Sequence, residues 1–412
     1  MTRIFLLNVF GKDRPGVTAT LTGMFAEHGC QVLDIGQSVI HYHLSLGMLI
    51  GAPQELELSL LKKLLDEKMK LLESLDYEAE EVSPQAYDSW VSEQGALRFV
   101  VTLLAPRMQS SHIAKVARIL REHELNIYTI QRLSGRAPLN GEPFDASSAA
   151  CVEFLVRGQD SHLQQIRKKF LELAHSDNID IAFQTDDLFR RNRRLVAFDM
   201  DSTLIEAEVI DELAKAAGVG EEVSRVTAAA MRGELDFKES FRRRVALLKG
   251  LDVSVMEEIA RNLKLARGAR TLTKTLKSLG YELAIISGGM RFFGEYLQDI
   301  LGIDYIYAND LEVKDGKLTG FPKGEIIDAK RKAEILGELA SSLGIDLRQT
   351  IAVGDGANDL LMLERAGMGI AFHAKPVVKE KARHSISAHG LDSILYLIGL
   401  RDRETTQVKP AN

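Results

Sequence analysis

Two carboxylates two residues apart, Asp199-Met200-Asp201, stand directly after the apolar run Leu195-Val196-Ala197-Phe198 and before Ser202-Thr203. At that spacing one acid can attack an electrophile while the other carries a proton. Aspartates also form ordinary turns, so this stretch alone does not separate chemistry from a loop. Three downstream segments favour chemistry. Ser287-Gly288-Gly289 follows Leu283-Ala284-Ile285-Ile286 and offers a hydroxyl beside unobstructed main-chain N–H groups, which suits an anion. Gly354-Asp355-Gly356-Ala357-Asn358-Asp359 follows Thr350-Ile351-Ala352-Val353, and its two Asp and one Asn supply hard oxygens for a divalent cation. Lys332 lies between them in the charged helical stretch 328–336, where a lone lysine is ordinarily a solvated surface residue.

Each apolar run reads as a buried parallel strand. Open α/β sheets bind ligands in the crevice at the carboxyl ends of their strands, so the polar clusters must converge there. Between Asp201 and Ser287 lie about 80 residues, far more than a strand–helix–strand crossover needs. Helical periodicity over 206–217, 221–232, 236–249 and 254–265 fills that interval, with Gly218, Gly233 and Gly250 at the expected helix ends. A small helical insert over the strand ends can exclude water and carry specificity contacts.

The order and spacing of Asp199-x-Asp201-x-Thr203, Ser287-Gly288, Lys332 and Gly354-Asp355-Gly356-x-x-Asp359 resemble the four motifs of the haloacid dehalogenase superfamily. The strings DMDST, ISGG and VGDGAND resemble its phosphoserine phosphatase branch most closely, from about Leu195 to about Leu400. That resemblance implies an α/β fold, a Rossmannoid parallel sheet with a small helical cap at about 206–267. It implies a Mg2+-dependent phosphoric monoester hydrolase that splits O-phosphoserine through an aspartyl-phosphate, the last step of serine biosynthesis. Asp199 would be the nucleophile and Asp201 the acid/base. Asp199, Asp355 and the main-chain carbonyl of Asp201 would hold the metal. Ser287, Gly288, Lys332 and Asn358 would meet the phosphate or bound ligand, with Asp359, Thr203 and Gly289 supporting them. In the cap, Glu208 and Arg244 fall where the family grips the α-ammonium and α-carboxylate, chemistry that suits those side chains. The residues alone leave Glu208 open to a helix N-terminal role, do not choose among Arg242, Arg243 and Arg244, and leave Met231 and Phe237 between an apolar substrate wall and core packing.

Upstream, strands at 4–10, 32–40, 45–51 and 77–82 alternate with helical stretches at 17–28 and 58–72, the β-α-β-β-α-β order of ferredoxin-like domains. The order recurs from Leu97 to Gln184, and Glu27-His28 returns as Glu122-His123, 95 positions on. Asp13-Arg14-Pro15-Gly16 after the first strand resembles the amino-acid-binding ACT domain. That implies pairing of two copies into a homodimer and a regulatory site near Asp13 and Gly16, for which L-serine is the expected ligand. The second copy has Arg107-Met108-Gln109-Ser110 there and lacks both Pro and Gly. The expected plan is therefore ACT domain 1 at 1–82, a link at 83–96, a degenerate ACT domain 2 at 97–184, a link at 185–194 and the phosphatase domain at 195–405. The arginine run 190–194 reads as a solvated linker.

The 412 residues exceed one comfortable core. A net charge of −6 speaks against general nucleic-acid binding. No apolar run approaches the ~20 residues of a membrane span, and the N-terminus lacks signal-peptide features, so a cytoplasmic protein without membrane partners is expected. Cys30 and Cys151 read as two buried free thiols. Two rival readings remain: a sibling phosphatase or phosphotransferase acting on another small phosphate ester, and a non-catalytic amino-acid sensor.

Overall fold

The computed structural model describes residues 2–136, 149–159 and 161–405. The chain divides into two compact units, Met1–Ala96 and Leu97–Asn412. In the first, β1 (Arg3–Lys12), α1 (Val17–Glu27), β2 (Gln31–Ile40), β3 (His43–Ala52), α2 (Leu58–Leu71) and β4 (Leu75–Val82) form an antiparallel sheet of order β2-β3-β1-β4 backed by two helices. Alternation sets its core: Phe5, Leu7 and Val9 of β1 point inward against Leu21, Phe25, Leu61 and Leu65 of the helices. The segment read as a link carries helix α3 (Pro84–Glu93), begun by Ser83, whose hydroxyl accepts from the Ala86 N–H at 3.2 Å, and by Pro84 at the first helical position.

The second unit opens with the same topology. β5 (Leu97–Ala105), α4 (Ser110–Glu122), β6 (Asn126–Arg132), β7 (Ala150–Gly158), α5 (Leu163–Asp177) and β8 (Asp180–Thr185) build a sheet of order β6-β7-β5-β8. The repeated Glu-His pair marks equivalent helix ends. His28 Nδ1 lies 2.9 Å from the Met24 carbonyl, and His123 Nδ1 lies 2.9 Å from that of Ile119. The helix starts differ. Gly16 caps α1 at φ 97°, in the left-handed region that favours glycine, whereas Gln109 caps α4 in an extended conformation. Losing glycine in the second copy therefore tracks a changed backbone.

The rest of the unit is β9 (Leu195–Phe198), α6 (Val209–Ala216), α7 (Gly220–Met231), α8 (Phe237–Leu247), α9 (Val253–Asn262), α10 (Ala269–Ser278), β10 (Glu282–Met290), α11 (Arg291–Leu301), β11 (Tyr305–Lys314), β12 (Lys317–Lys323), α12 (Ala329–Ser342), β13 (Thr350–Gly354), α13 (Leu360–Arg365), β14 (Met368–Phe372), α14 (Pro376–Lys381), β15 (His384–Ile386), α15 (Ile394–Leu397) and α16 (Asp402–Thr405). The sheet runs β12-β11-β10-β9-β13-β14-β15, all parallel except the β12 edge. Both faces are covered, which is why the motif-bearing runs are apolar throughout. Val196, Phe198, Ile285 and Val353 face one core, and Leu195, Ala197, Ala284, Ile286 and Ala352 face the other. Each such fully buried Val, Leu, Ile or Phe contributes roughly 1.5–3 kcal/mol.

Helices α6–α9 leave and rejoin the sheet through one short hydrogen-bonded pair. The Glu206 N–H donates to the Lys264 carbonyl at 2.9 Å and that of Ala266 to Leu204 at 2.8 Å. Gly218 and Gly233, at φ 71° and 79°, follow the ends of α6 and α7 in the left-handed conformation expected there.

The solvated reading of the arginine run holds for exposed Arg191 and Arg194 and is overturned for the other two. Arg190 is fully buried and pairs with Glu153 of β7, while Arg193 is buried and donates to the Arg348 carbonyl. Sequence could not supply the acid on a distant strand that makes an internal guanidinium tolerable. On the same seam between β7–β8 and the parallel-sheet domain, buried Asp180 accepts from the Ser387 and Ala388 N–H groups at 2.7 and 3.1 Å, and lies 2.7 Å from His389 Nδ1. Cys151 is buried and Cys30 only half-buried, both free. Among the described residues no helix is long and apolar enough to cross a membrane.

Candidate active site

Strand register brings the motifs together. In β10-β9-β13, Phe198 lies beside Ile285 on one side and Val353 on the other. Asp199, Ser287 and Asp355 therefore emerge within two residues of the same sheet edge. The Asp199 N–H donates to the Val353 carbonyl at 2.8 Å, fixing the first turn beyond β9.

Lys332 is not the surface residue its local context predicts. It lies on the first turn of α12, whose N-terminus is capped by Asp328 accepting from the Arg331 N–H at 2.9 Å. Its side chain is 1% exposed, donating to Asp199 Oδ1 at 2.8 Å and Asp359 Oδ1 at 2.6 Å. Asp359 Oδ2 accepts from the Gly356 N–H at 3.0 Å, which ties the β13 loop shut. Carboxylate oxygens of Asp199, Asp355 and Asp359 all lie within 4.8 Å of one another. Thr203 Oγ1 donates to Asp355 Oδ1 at 3.4 Å, and half-buried Asn358 sits on the same turn as Asp359.

One ammonium among three carboxylates leaves surplus negative charge, and the titration behaviour reflects it. Burial, then the charges of Asp359 and Asp199, push the Asp355 carboxyl up to about 7. Burial and Asp199 push Asp359 up to about 6. Burial opposes the Lys332 charge, but Asp199 and Asp359 outweigh it and hold the ammonium above its ordinary range. Hard oxygens in surplus suit a divalent cation of the Mg2+ type.

Asp201 is set apart from this trio. Its Oδ1 accepts from the Val209 N–H at 3.2 Å, at the start of α6. Burial, then Glu208 and Asp199, raise its pKa well above its ordinary value, which favours its protonated form. Ser202, at φ 56°, folds the chain back between the two. Its N–H donates to the Ala207 carbonyl at 3.2 Å and its hydroxyl to Glu208 Oε1 at 3.0 Å.

The β10 end closes the opposite wall. Ser287 is buried, and its Oγ accepts from the Gly289 N–H at 3.0 Å. A Cβ at Gly289 would stand 2.5 Å from Asp201 Oδ2, so only glycine lets the two loops approach. A Cβ at Gly288 would stand 2.8 Å from the ring of Phe237, the first residue of α8, so the cap reaches this loop. Sequence reasoning missed Asn309. Buried on β11, it donates to the Gly288 carbonyl at 2.8 Å and accepts from the Ile327 N–H at 2.7 Å, pinning the Ser287 loop to the approach of α12. A single Asn at a strand carries no pattern that announces this.

Of the three adjacent cap arginines, the structure singles out one. Arg243 pairs on the surface with Glu239 at 2.7 Å, and Arg242 is exposed. Arg244 is half-buried with its Nε unpartnered. Burial lowers its pKa against the opposing charges of Glu208, Asp211 and Asp201. Met231 is 70% exposed and packs in no core, whereas Phe237 stacks on Phe241. Asp13 and Gly16 lie exposed on the β1–α1 turn, with the Asp13 N–H donating to the Tyr42 carbonyl at 2.7 Å.

Comparison with known proteins agrees with this geometry. The haloacid dehalogenase-like hydrolase family matches residues 193–367, and the ACT domain family matches residues 3–75. The phosphoserine phosphatase of Streptomyces coelicolor is 41% identical over 97% of this chain and 93% of its own length. That of Mycobacterium tuberculosis is 37% identical over 96% of this chain and 93% of its own. The crystal structure of a probable phosphoserine phosphatase from Vibrio cholerae superposes with a TM-score of 0.57 at 32% identity, covering 74% of this chain and 87% of that one. The sheet, the convergent motifs and near-full-length relatives lead to one conclusion: this chain belongs to the phosphoserine phosphatases of the haloacid dehalogenase-like hydrolases, with an ACT domain at its N-terminal end.

Proposed function

We propose that the chain hydrolyses O-phospho-L-serine to L-serine and phosphate, the last step of serine biosynthesis, with Mg2+ as cofactor. The observation that carries this reading is the buried Asp199–Lys332–Asp359 contact beside Asp355, with Asp201 next to it and its pKa raised by burial. Lys332 holds Asp199 Oδ1, leaving Oδ2 to attack phosphorus and form an aspartyl-phosphate. Asp201, its protonated form favoured by burial, gives its proton to the departing serine oxygen and then takes one from the water that hydrolyses the intermediate. Ser287, the Gly288 N–H and Lys332 stabilise the phosphoryl oxygens as charge spreads. Asp199, Asp355 and the Asp201 carbonyl would hold Mg2+, with Thr203 and Asp359 orienting them. When bound, the metal offsets repulsion between the phosphate dianion and the attacking carboxylate.

Glu208 and Arg244 support an amino-acid substrate, the acid meeting the α-ammonium and the guanidinium the α-carboxylate. Asn358 contacts bound ligand and Gly289 gives the loops room. The ACT domain supports feedback by L-serine near Asp13 and Gly16, and exposed Val32, Ile35, Val39 and Ile40 on edge strand β2 support a homodimer paired through it. The second sheet, with Gln109 where the first has Gly16, serves as a degenerate ACT copy. Free Cys30 and Cys151 fit work in the reducing cytoplasm. The test is phosphate release from phosphoserine, phosphothreonine and phosphoglycolate, with Mg2+ or EDTA and with or without L-serine. Mg2+-dependent release fastest from phosphoserine and curbed by serine is expected. Preference for phosphoglycolate would move the chain to a sibling activity.

A further inference from the structure

We propose that the cleft between the second ferredoxin-like sheet and the parallel-sheet domain is a binding site for a small multivalent anion bearing phosphate or carboxylate groups. The cleft, of about 610 Å³, is walled by α5 and β8 on one side and by α14 and β15 on the other. Arg167 and Lys168 line it from α5, and Lys379, Lys381 and Arg383 from the facing wall, against only Glu172 and Glu380. On the outer surface nearby, two cations are matched: Lys169 pairs with Glu122 at 2.7 Å and Lys115 with Asp177 at 2.6 Å. None of the five cleft cations has such a partner among the described residues.

Two polar atoms inside await a partner. Arg167 Nε and His384 Nδ1 are buried without a hydrogen bond, and His384 is 7% exposed. Burial and the charge of Arg383 lower the Arg167 pKa, and burial with Arg167, Arg383 and Arg193 drives His384 down to about 3. His384 is therefore a neutral hydrogen-bonding group beside concentrated positive charge. A wall needed only for packing would gain by pairing or deleting the half-buried Arg167 guanidinium, as the neighbouring seam does with Arg190–Glu153. Five cations without a salt-bridge partner among the described residues, set around one cavity, instead concentrate positive potential where an anion with several charges is held from both walls. None of these residues belongs to the strand-end site, so the inference does not depend on the reaction proposed there.

The test is calorimetric titration of the full chain in EDTA with pyrophosphate and, separately, citrate. Wild type is compared with Arg167→Gln/Arg383→Gln and with Lys168→Ala/Lys381→Ala. The second pair replaces exposed side chains, so it decides the matter if the first impairs folding. We expect saturable binding of at least one probe to wild type, weakened about tenfold or more in either variant, with unchanged phosphoserine turnover in probe-free buffer. Pyrophosphate alone would identify a phosphate-bearing ligand and citrate alone a polycarboxylate. No saturable binding to wild type, or equal affinity in wild type and Lys168→Ala/Lys381→Ala for both probes, overturns the site.

Discussion

Two buried regions of this molecule handle charge in opposite ways. At the domain seam two internal acids are each answered: Glu153 meets Arg190, and Asp180 receives two main-chain N–H groups beside His389. At the strand ends Asp199, Asp355 and Asp359 crowd around one ammonium, and burial beside Glu208 and Asp199 raises the Asp201 pKa. Matched charge is architecture; surplus charge is held by the fold for something that arrives later.

That contrast can be broken in order of expected effect. Asp199→Asn should lower phosphoserine turnover by about 10⁴-fold or more while leaving the melting temperature unchanged or higher, because it relieves acid crowding. Steady-state assay with thermal melting reads both, and a large loss of stability would make Asp199 a seam-type residue instead. Glu153→Ala should do the reverse. Leaving Arg190 buried and unanswered costs about 3–5 kcal/mol in urea unfolding, with turnover per folded molecule intact. Glu208→Gln should raise KM for phosphoserine about 10–100-fold and leave hydrolysis of an aryl phosphate without an amino group little changed. Equal losses on both substrates would remove Glu208 from amino-acid recognition.

The smallest effect is one of pH. The Asp355 carboxyl, at about 7 in the fold, lies above its unfolded value near 3.9. Its contribution to stability is therefore full below about pH 4 and lost as pH rises through about 7. In EDTA the melting temperature should fall across that window, more in wild type than in Asp355→Asn. Added Mg2+ should restore it chiefly above pH 7, where the ligand is ionised. Identical pH profiles for the two proteins would show that Asp355 does not carry the surplus charge.

Much of this plan was legible because it is written in local patterns. Leu195–Phe198, Leu283–Ile286 and Thr350–Val353 are apolar on both strand faces, and the polar residues that end them mark the crevice. Residues whose role depends on distant partners were not. Lys332 sits in a segment patterned as surface, and only its place at the start of α12 buries it against Asp199. Arg190 looked like linker because Glu153 lies on another strand, and Asn309 had no neighbour in sequence to betray that it pins Gly288. Arg244 became separable from Arg242 and Arg243 only once the direction of α8 was known.

The narrow tether at Leu204–Glu206 and Lys264–Ala266 has one more consequence. Glu208 and Arg244, proposed to read the organic part of the ester, lie beyond that pair of bonds in an insert that otherwise bonds to the β12 edge through Gly250, Leu251 and Val253, while the residues proposed for the phosphorus chemistry are rooted in the sheet. Clientele and reaction are thus separate inheritances: the four helices can be exchanged or resculpted to admit a different molecule, and the machinery beneath would go on cleaving whatever they deliver.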